Sequence, residues 1–139
     1  MRCVLPVLVL LGSVSLAGCE RVPAPDPQAQ GGHLEWRGVS SCADCDGIDT
    51  VLLLQRQGEA RSYRLAETYR VAGSGERFVE AGQWQAEGAL IRMQGDGGSL
   101  RVYAVLPDGR LQVRNDAGRR LPRGSGRHAL EPVVARDGQ

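Results

Sequence analysis

The chain contains no lysine: all 17 of its basic residues are arginine, set against 16 acidic residues for a net charge of +1. The arginines are spread along the chain rather than gathered into a stripe, so nucleic acid is not an expected partner. Aromatic residues make up only 4% and histidines number two, near the ends of the candidate domain. With histidine so scarce, neither a Ser-His-Asp nor a Cys-His arrangement can be assembled convincingly. No glycine-rich loop follows a strand and opens a helix, which removes the usual phosphate cradle. No segment sustains a helical period. No apolar run reaches the ~20 residues that cross a bilayer as a helix. These absences argue against an enzyme.

What is present begins with MRCVLPVLVLLGSVSLAGCE. Arg2 gives a short positive start, and the apolar stretch after it is roughly a dozen residues long, the length of a secretory signal. It ends on Leu16-Ala17-Gly18-Cys19, which resembles the bacterial lipobox. The resemblance implies a signal peptide over 1–18 and acylation of Cys19 as the mature N-terminus. Membrane attachment would then run through the N-terminal lipid, and Glu20 after the cysteine leans towards the outer membrane, facing the periplasm. The expected organisation continues with the lipidated cysteine and a Pro/Gly-rich tether over 19–33. A folded domain over 34–130 and a tail over 131–139 complete it. The tether sequence ERVPAPDPQAQGG could hold the domain up to ~40 Å from the lipid if extended.

From Leu34 onward the hydrophobic period is two. LEWRGVS, IDTVLLLQRQ, SYRLAETYR, ERFVEAGQWQA, ALIRMQ, SLRVYAVL and LQVRND alternate, and HALEPVV can close the series. Between them stand Gln57-Gly58, Gly73-Ser74-Gly75, Gly88, Asp96-Gly97-Gly98, Asp108-Gly109 and Ala117-Gly118, turn signals at short spacing. The pattern predicts an all-β fold, a small antiparallel up-and-down barrel of seven or eight short strands, closure being one way to remove exposed edges. A sandwich is the alternative. The core is expected around Trp36, Trp84, Tyr63, Tyr69, Tyr103 and Phe78.

Two features carry chemistry. The first is SSCADCDGIDT. Once Cys3 leaves with the signal and Cys19 takes lipid, Cys42 and Cys45 are the remaining thiols, in a compartment that permits a disulfide. A thioredoxin-type site needs its Cys-x-x-Cys at a helix N-terminus, whereas a turn and strand follow here. Structural zinc needs four ligands, and the spacing of His33 and His128 does not bring them to the cysteines. Two thiolates suit Cu(I), which Met93 could assist if it lies nearby. A redox or copper-responsive pair and a plain loop-closing disulfide both remain open; no cofactor is required, and copper is the one candidate. Asp44, Asp46 and Asp49 lack the glycine and distal glutamate of an EF-hand. Asp46-Gly47 reads as a turn, Asp44 as solvated, and Asp49 as bonding backbone where the strand begins.

The second feature is Glu67 and Glu80. If a turn at Gly73-Ser74 closes a simple hairpin, Tyr69 faces Phe78, Tyr63 faces Trp84, and Glu67 lies opposite Glu80 on the aromatic face. Directly opposed like charges are unfavourable, so a buried pair needs a cation or hydroxyl nearby. The pair is then either a polar site inside the barrel or a structural network with tyrosine hydroxyls or an arginine.

In order along the chain, the lipobox, the tether, the Trp-x-Gly strand, CADCDGIDTVLLL, YRLAETY and FVEAGQW resemble the N-terminal domain of the NlpE copper-resistance lipoprotein family. The similarity covers roughly Leu34 to Leu130. It implies a lipocalin-like barrel at the outer membrane, linked to copper tolerance and to envelope-stress signalling through a sensor kinase. Some members carry a second, OB-type domain, and roles that need it are not implied here. The expected function is therefore non-catalytic, sensing or relaying envelope, redox or copper stress through protein contacts, as a monomer. The alternative is a lipocalin-like carrier of a small apolar ligand or lipid.

Overall fold

The computed structural model describes residues 24–27, 31–123 and 129–134. Cys3, Cys19, His128 and the signal segment lie outside the described residues. Eight strands follow one another in the chain: β1 (His33–Ser40), β2 (Gly47–Gln57), β3 (Ala60–Val71), β4 (Ser74–Glu87), β5 (Leu90–Gly95), β6 (Leu100–Val105), β7 (Leu111–Arg114) and β8 (Glu131–Pro132). Each strand from β1 to β6 pairs antiparallel with the next, and β8 returns to pair with β1, giving the order β7-β6-β5-β4-β3-β2-β1-β8. The seam is narrow. Leu111 and Leu130 exchange backbone hydrogen bonds of 2.9 and 2.8 Å, joining β7 to the residue before β8. The result is a nearly closed all-β barrel.

The turns fall where glycine relieves the backbone. Gly58 and Gly88 each open a two-residue hairpin loop at φ +59°. Positive φ costs glycine little, whereas a side chain would clash there. Not every strand is short: β3 and β4 span 12 and 14 residues, and their hairpin closes on Ala72-Gly73, with Val71 paired to Ser74.

Alternation determines what fills the barrel. Trp36, Leu52, Leu54, Tyr63, Leu65, Trp84, Ile91, Met93, Tyr103, Val105, Leu111 and Leu130 form one buried cluster. Leu52, Leu54, Ile91 and Leu111 are wholly buried, each contributing about 1.5–3 kcal/mol relative to an exposed side chain. The two indoles also satisfy their polar atoms, Trp36 Nε1 donating to the Gly109 carbonyl and Trp84 Nε1 to the Gln55 carbonyl, both at 3.0 Å. Arg61 covers Trp84 with its guanidinium 5.2 Å from the ring centroid. The cluster fills one end of the barrel; the end that carries the β1–β2 and β3–β4 connections is open.

Two expected core aromatics are not in this cluster. Phe78 is half exposed and Tyr69 only partly buried. They meet edge to face at 5.4 Å, out along the β3–β4 hairpin beyond the packed end. Their alternation matches the core, but β5 parts from β4 at Gly82 and Gly95, so among the described residues no strand continues the wall beside Phe78.

Candidate functional site

The open end is organised around three side chains from three strands. The β3–β4 register pairs Glu67 with Phe78, Leu65 with Glu80, Tyr63 with Gly82 and Tyr69 with Glu76. This is two residues from the expected register, because the loop is Ala72-Gly73 rather than Gly73-Ser74. A shift of two keeps every side chain on its face. Glu67 and Glu80 therefore share the interior face as diagonal neighbours instead of direct partners, which relaxes their repulsion.

Arg101 compensates both. It stands on β6 opposite Met93, on the interior face with Tyr103 and Val105. Its Nε donates to Glu80 Oε1 at 3.1 Å and one terminal nitrogen to Glu80 Oε2 at 3.4 Å. Longer contacts of 3.4 and 3.5 Å reach the two oxygens of Glu67. The Tyr63 hydroxyl, from inside the core, donates to Glu80 Oε1 at 2.7 Å. Burial pushes the Glu80 carboxyl up, but the Tyr63 and Arg101 hydrogen bonds outweigh it and hold the group below its ordinary value. Burial also works against the Arg101 charge, and the two carboxylates more than offset it, so the guanidinium is raised. Tyr63 is raised by burial first and by its bond to Glu80 second.

Around this cluster are two concavities. The larger, of about 740 Å³, lies in the barrel mouth and is lined by Thr50, Glu67, Tyr69 and Arg101 together with Ser40 and Ser41. The smaller, of about 440 Å³, lies on the other side of Glu67 and Arg101, between β4 and the Asp96-Gly97 turn. The Glu67–Arg101 contact thus separates the two recesses.

Ser40 and Ser41 lead directly into the cysteine loop, so Cys42 and Cys45 sit at the rim of the larger cavity. Their sulfurs are joined as a disulfide with Cα atoms 5.5 Å apart, inside the usual range. The loop is short because Gly47 turns the chain at φ +141°, packed so that an added Cβ would lie 3.3 Å from Val39. Asp46 N donates to the Arg70 carbonyl at 2.8 Å, pinning the loop to the end of β3. Asp49 does not bond backbone as expected. It pairs with Arg70 through Nε at 2.6 Å and a second terminal-nitrogen contact, and the side-chain bonds from Arg70 hold its carboxyl low.

Met93 is wholly buried, paired across the sheet with Trp84 inside the core. His33 begins β1, whereas the cysteine loop follows its last residue, about 23 Å away along an eight-residue strand. No group of three or more His, Cys, Asp or Glu side chains among the described residues could hold a metal ion. Among the described residues outside the packed core, Cys42 and Cys45 are the sulfur donors open to a soft ion, and they become ligands only when the disulfide is reduced.

Sequence reasoning placed Glu67 and Glu80 on one face but did not name Arg101. The signal was present in SLRVYAVL, where alternation puts Arg101 on the side of Tyr103 and Val105. A guanidinium on an otherwise apolar face requires anionic partners.

The chain is similar to known proteins over most of its described length. Residues 36–123 match the family described as the NlpE N-terminal domain. Lipoprotein NlpE of Escherichia coli (strain K12) is 26% identical over 117 residues, covering 77% of this chain. The chain spans 48% of that relative's length. A solved structure, the crystal structure of the Cpx pathway activator NlpE from Escherichia coli, superposes with a TM-score of 0.55 at 28% identity. It covers 64% of this chain and 45% of its own.

Proposed function

Because the chain belongs to the NlpE N-terminal domain family, we propose that it is a cell-envelope lipoprotein that relays stress to a sensor protein by direct contact, without catalysis. The observations that support this most are the family match over residues 36–123, which spans most of the described barrel, and the likeness to a solved structure described as a Cpx pathway activator. Cys19 would carry the lipid, the tether after it would give the barrel reach, and the periplasmic side of the outer membrane is the proposed location.

Within that role, Cys42 and Cys45 are proposed as the responsive element. The pair lies at the rim of the open end, where loop geometry and the cavity wall meet. As a disulfide it closes the loop. When reduced it offers two thiolates, which suit Cu(I) and would bind it without help from Met93 or His33. The carrier alternative draws on the cavity in the barrel mouth. Its lining sets Glu67, Arg101 and Thr50 beside Ile48, Val102 and Leu130, which suits a ligand with both polar and apolar parts.

The test is genetic. In the bacterium that encodes the chain, the gene is deleted and restored as the parent, as Cys19→Ser, or as Cys42→Ser/Cys45→Ser, under copper and reductant stress with an envelope-stress reporter. The expected result is full rescue by the parent, loss with Cys19→Ser, and an altered stress response with the double-serine variant. Equal rescue by the parent and the double-serine variant would remove the cysteines from the mechanism. A reporter that never responds to the parent would remove the relay.

A further inference from the structure

The barrel wall has a gap along β4. Its C-terminal part, Gly82 to Glu87, pairs with β5, but the stretch from Ser74 to Glu80 pairs with β3 alone among the described residues. The cause is local. At Gly82 and Gly95 the two strands approach so closely that a Cβ on Gly82 would lie 2.0 Å from the Gln94 carbonyl oxygen. Beyond Gly95 the chain leaves through Asp96-Gly97-Gly98 and reverses into β6, so no strand accompanies β4 further.

The backbone on the open side is ready to pair. Asp96 N donates to the Ala81 carbonyl at 2.9 Å, which fixes the side to which Ala81 points. By the alternation of an antiparallel strand, Val79, Arg77 and Gly75 present their N–H and C=O groups to that same side. An unpaired edge is a template for another strand, which proteins discourage with charged side chains, proline, a bulge or covering loops. This stretch carries Glu76 and Arg77 near its start but no proline. Here Phe78 and Val79 are half exposed on it. The adjoining recess of about 440 Å³ carries the carboxylates of Glu67, Glu80 and Asp96 against the single guanidinium of Arg101. That excess of negative charge favours a basic occupant.

We infer that the open side of β4 from Gly75 to Val79 is where an extended segment of the signalling partner, apolar with a basic side chain, adds as a further strand. This rests on the relay reading above and names its contact surface. Main-chain hydrogen bonds would supply affinity, while the apolar and acidic features of the recess select the segment. A second copy is less suited, since self-pairing centred on Arg77 would oppose two guanidinium groups.

The experiment is amide hydrogen exchange on the full chain in detergent, with and without the purified periplasmic region of the host's envelope-stress sensor kinase, alongside the reporter strain. The expected result is that the amides of Gly75, Arg77 and Val79 exchange at least tenfold more slowly with the sensor region. In cells, Arg77→Pro, which deletes one outward N–H, should lower the reporter tenfold while Arg77→Gln retains it. Protection elsewhere on the barrel, with these three amides unchanged, would overturn the edge and leave the relay standing. Protection that needs only a high concentration of the chain itself would assign the edge to a second copy and overturn the proposal. If Arg77→Pro does not fold, exchange on the unsubstituted chain decides. A silent reporter and no protection anywhere would overturn both readings.

Discussion

The Tyr63 hydroxyl donates to Glu80 Oε1 at 2.7 Å, and through this bond the packed end of the barrel is tied to its open end. Tyr63 belongs to the apolar cluster, whereas Glu80 faces the recess beside β4. Tyr63→Phe keeps the ring and removes the bond. A hydrogen bond to a charged acceptor contributes about 1.5–3 kcal/mol, and partial exposure places this one at the low end. Urea unfolding at pH 7 should show a loss of about 1–2 kcal/mol.

The same bond sets a pH dependence. Glu80 is held below its ordinary value of 4.5, so its contribution to stability is present above that pH and is lost as the pH falls through the folded value. Tyr63 is raised above 10.0, so its contribution is present below pH 10 and is lost as the pH rises through the folded value. Glu80→Gln should therefore flatten the decline in stability below pH 4.5. Thermal unfolding from pH 3 to 7 measures it, and an unchanged acid slope would contradict the assignment.

Arg101 serves two carboxylates, and its removal exposes each to the other. Arg101→Met should cost about 1–3 kcal/mol, since stranding partly buried charge is worse than losing an exposed pair. Arg70→Ala breaks the more exposed pair with Asp49 and should cost much less, because solvent screens that pair. Restoring most of the Arg101→Met loss with Glu67→Gln as a second change would identify carboxylate repulsion as the cause.

Two glycines test the β4–β5 crossing. Gly82→Ala puts a methyl 2.0 Å from a backbone oxygen, which no side-chain movement can relieve. A loss of about 2–4 kcal/mol is expected. Gly97→Ala meets nothing within 4 Å and needs no positive φ, so its effect should stay within about 0.5 kcal/mol.

Cys42→Ser/Cys45→Ser opens a very short loop. Loop-closure entropy for so few residues gives at most about 2 kcal/mol. Small thermodynamic loss combined with a changed stress response would mean that the pair is kept for response rather than for stability. Urea unfolding with and without reductant supplies the first measurement and the reporter the second.

The alternation from Leu34 onward and the glycines between the runs were sufficient to read the strands, their faces and the turn sites. Those are local properties: side chains alternate on any strand, and a hairpin needs its special φ wherever it lies. Even the misplaced β3–β4 register left Glu67 and Glu80 on the correct face, because an error of two preserves parity. What alternation cannot report is where a neighbouring strand stops. Phe78 and Tyr69 carry the pattern of core residues, yet they lie outside the core because β5 leaves β4 at Gly95.

Arg101 is the same lesson in reverse. It lies 34 residues from Glu67 in the chain, and only the winding of β6 back across the barrel brings it within 3.4 Å. By itself the sequence determined an all-β barrel with a cysteine pair in the loop before its second strand. The compensation of the two glutamates, the open mouth and the bare edge of β4 were decided by the tertiary structure, because each depends on which distant backbone comes alongside.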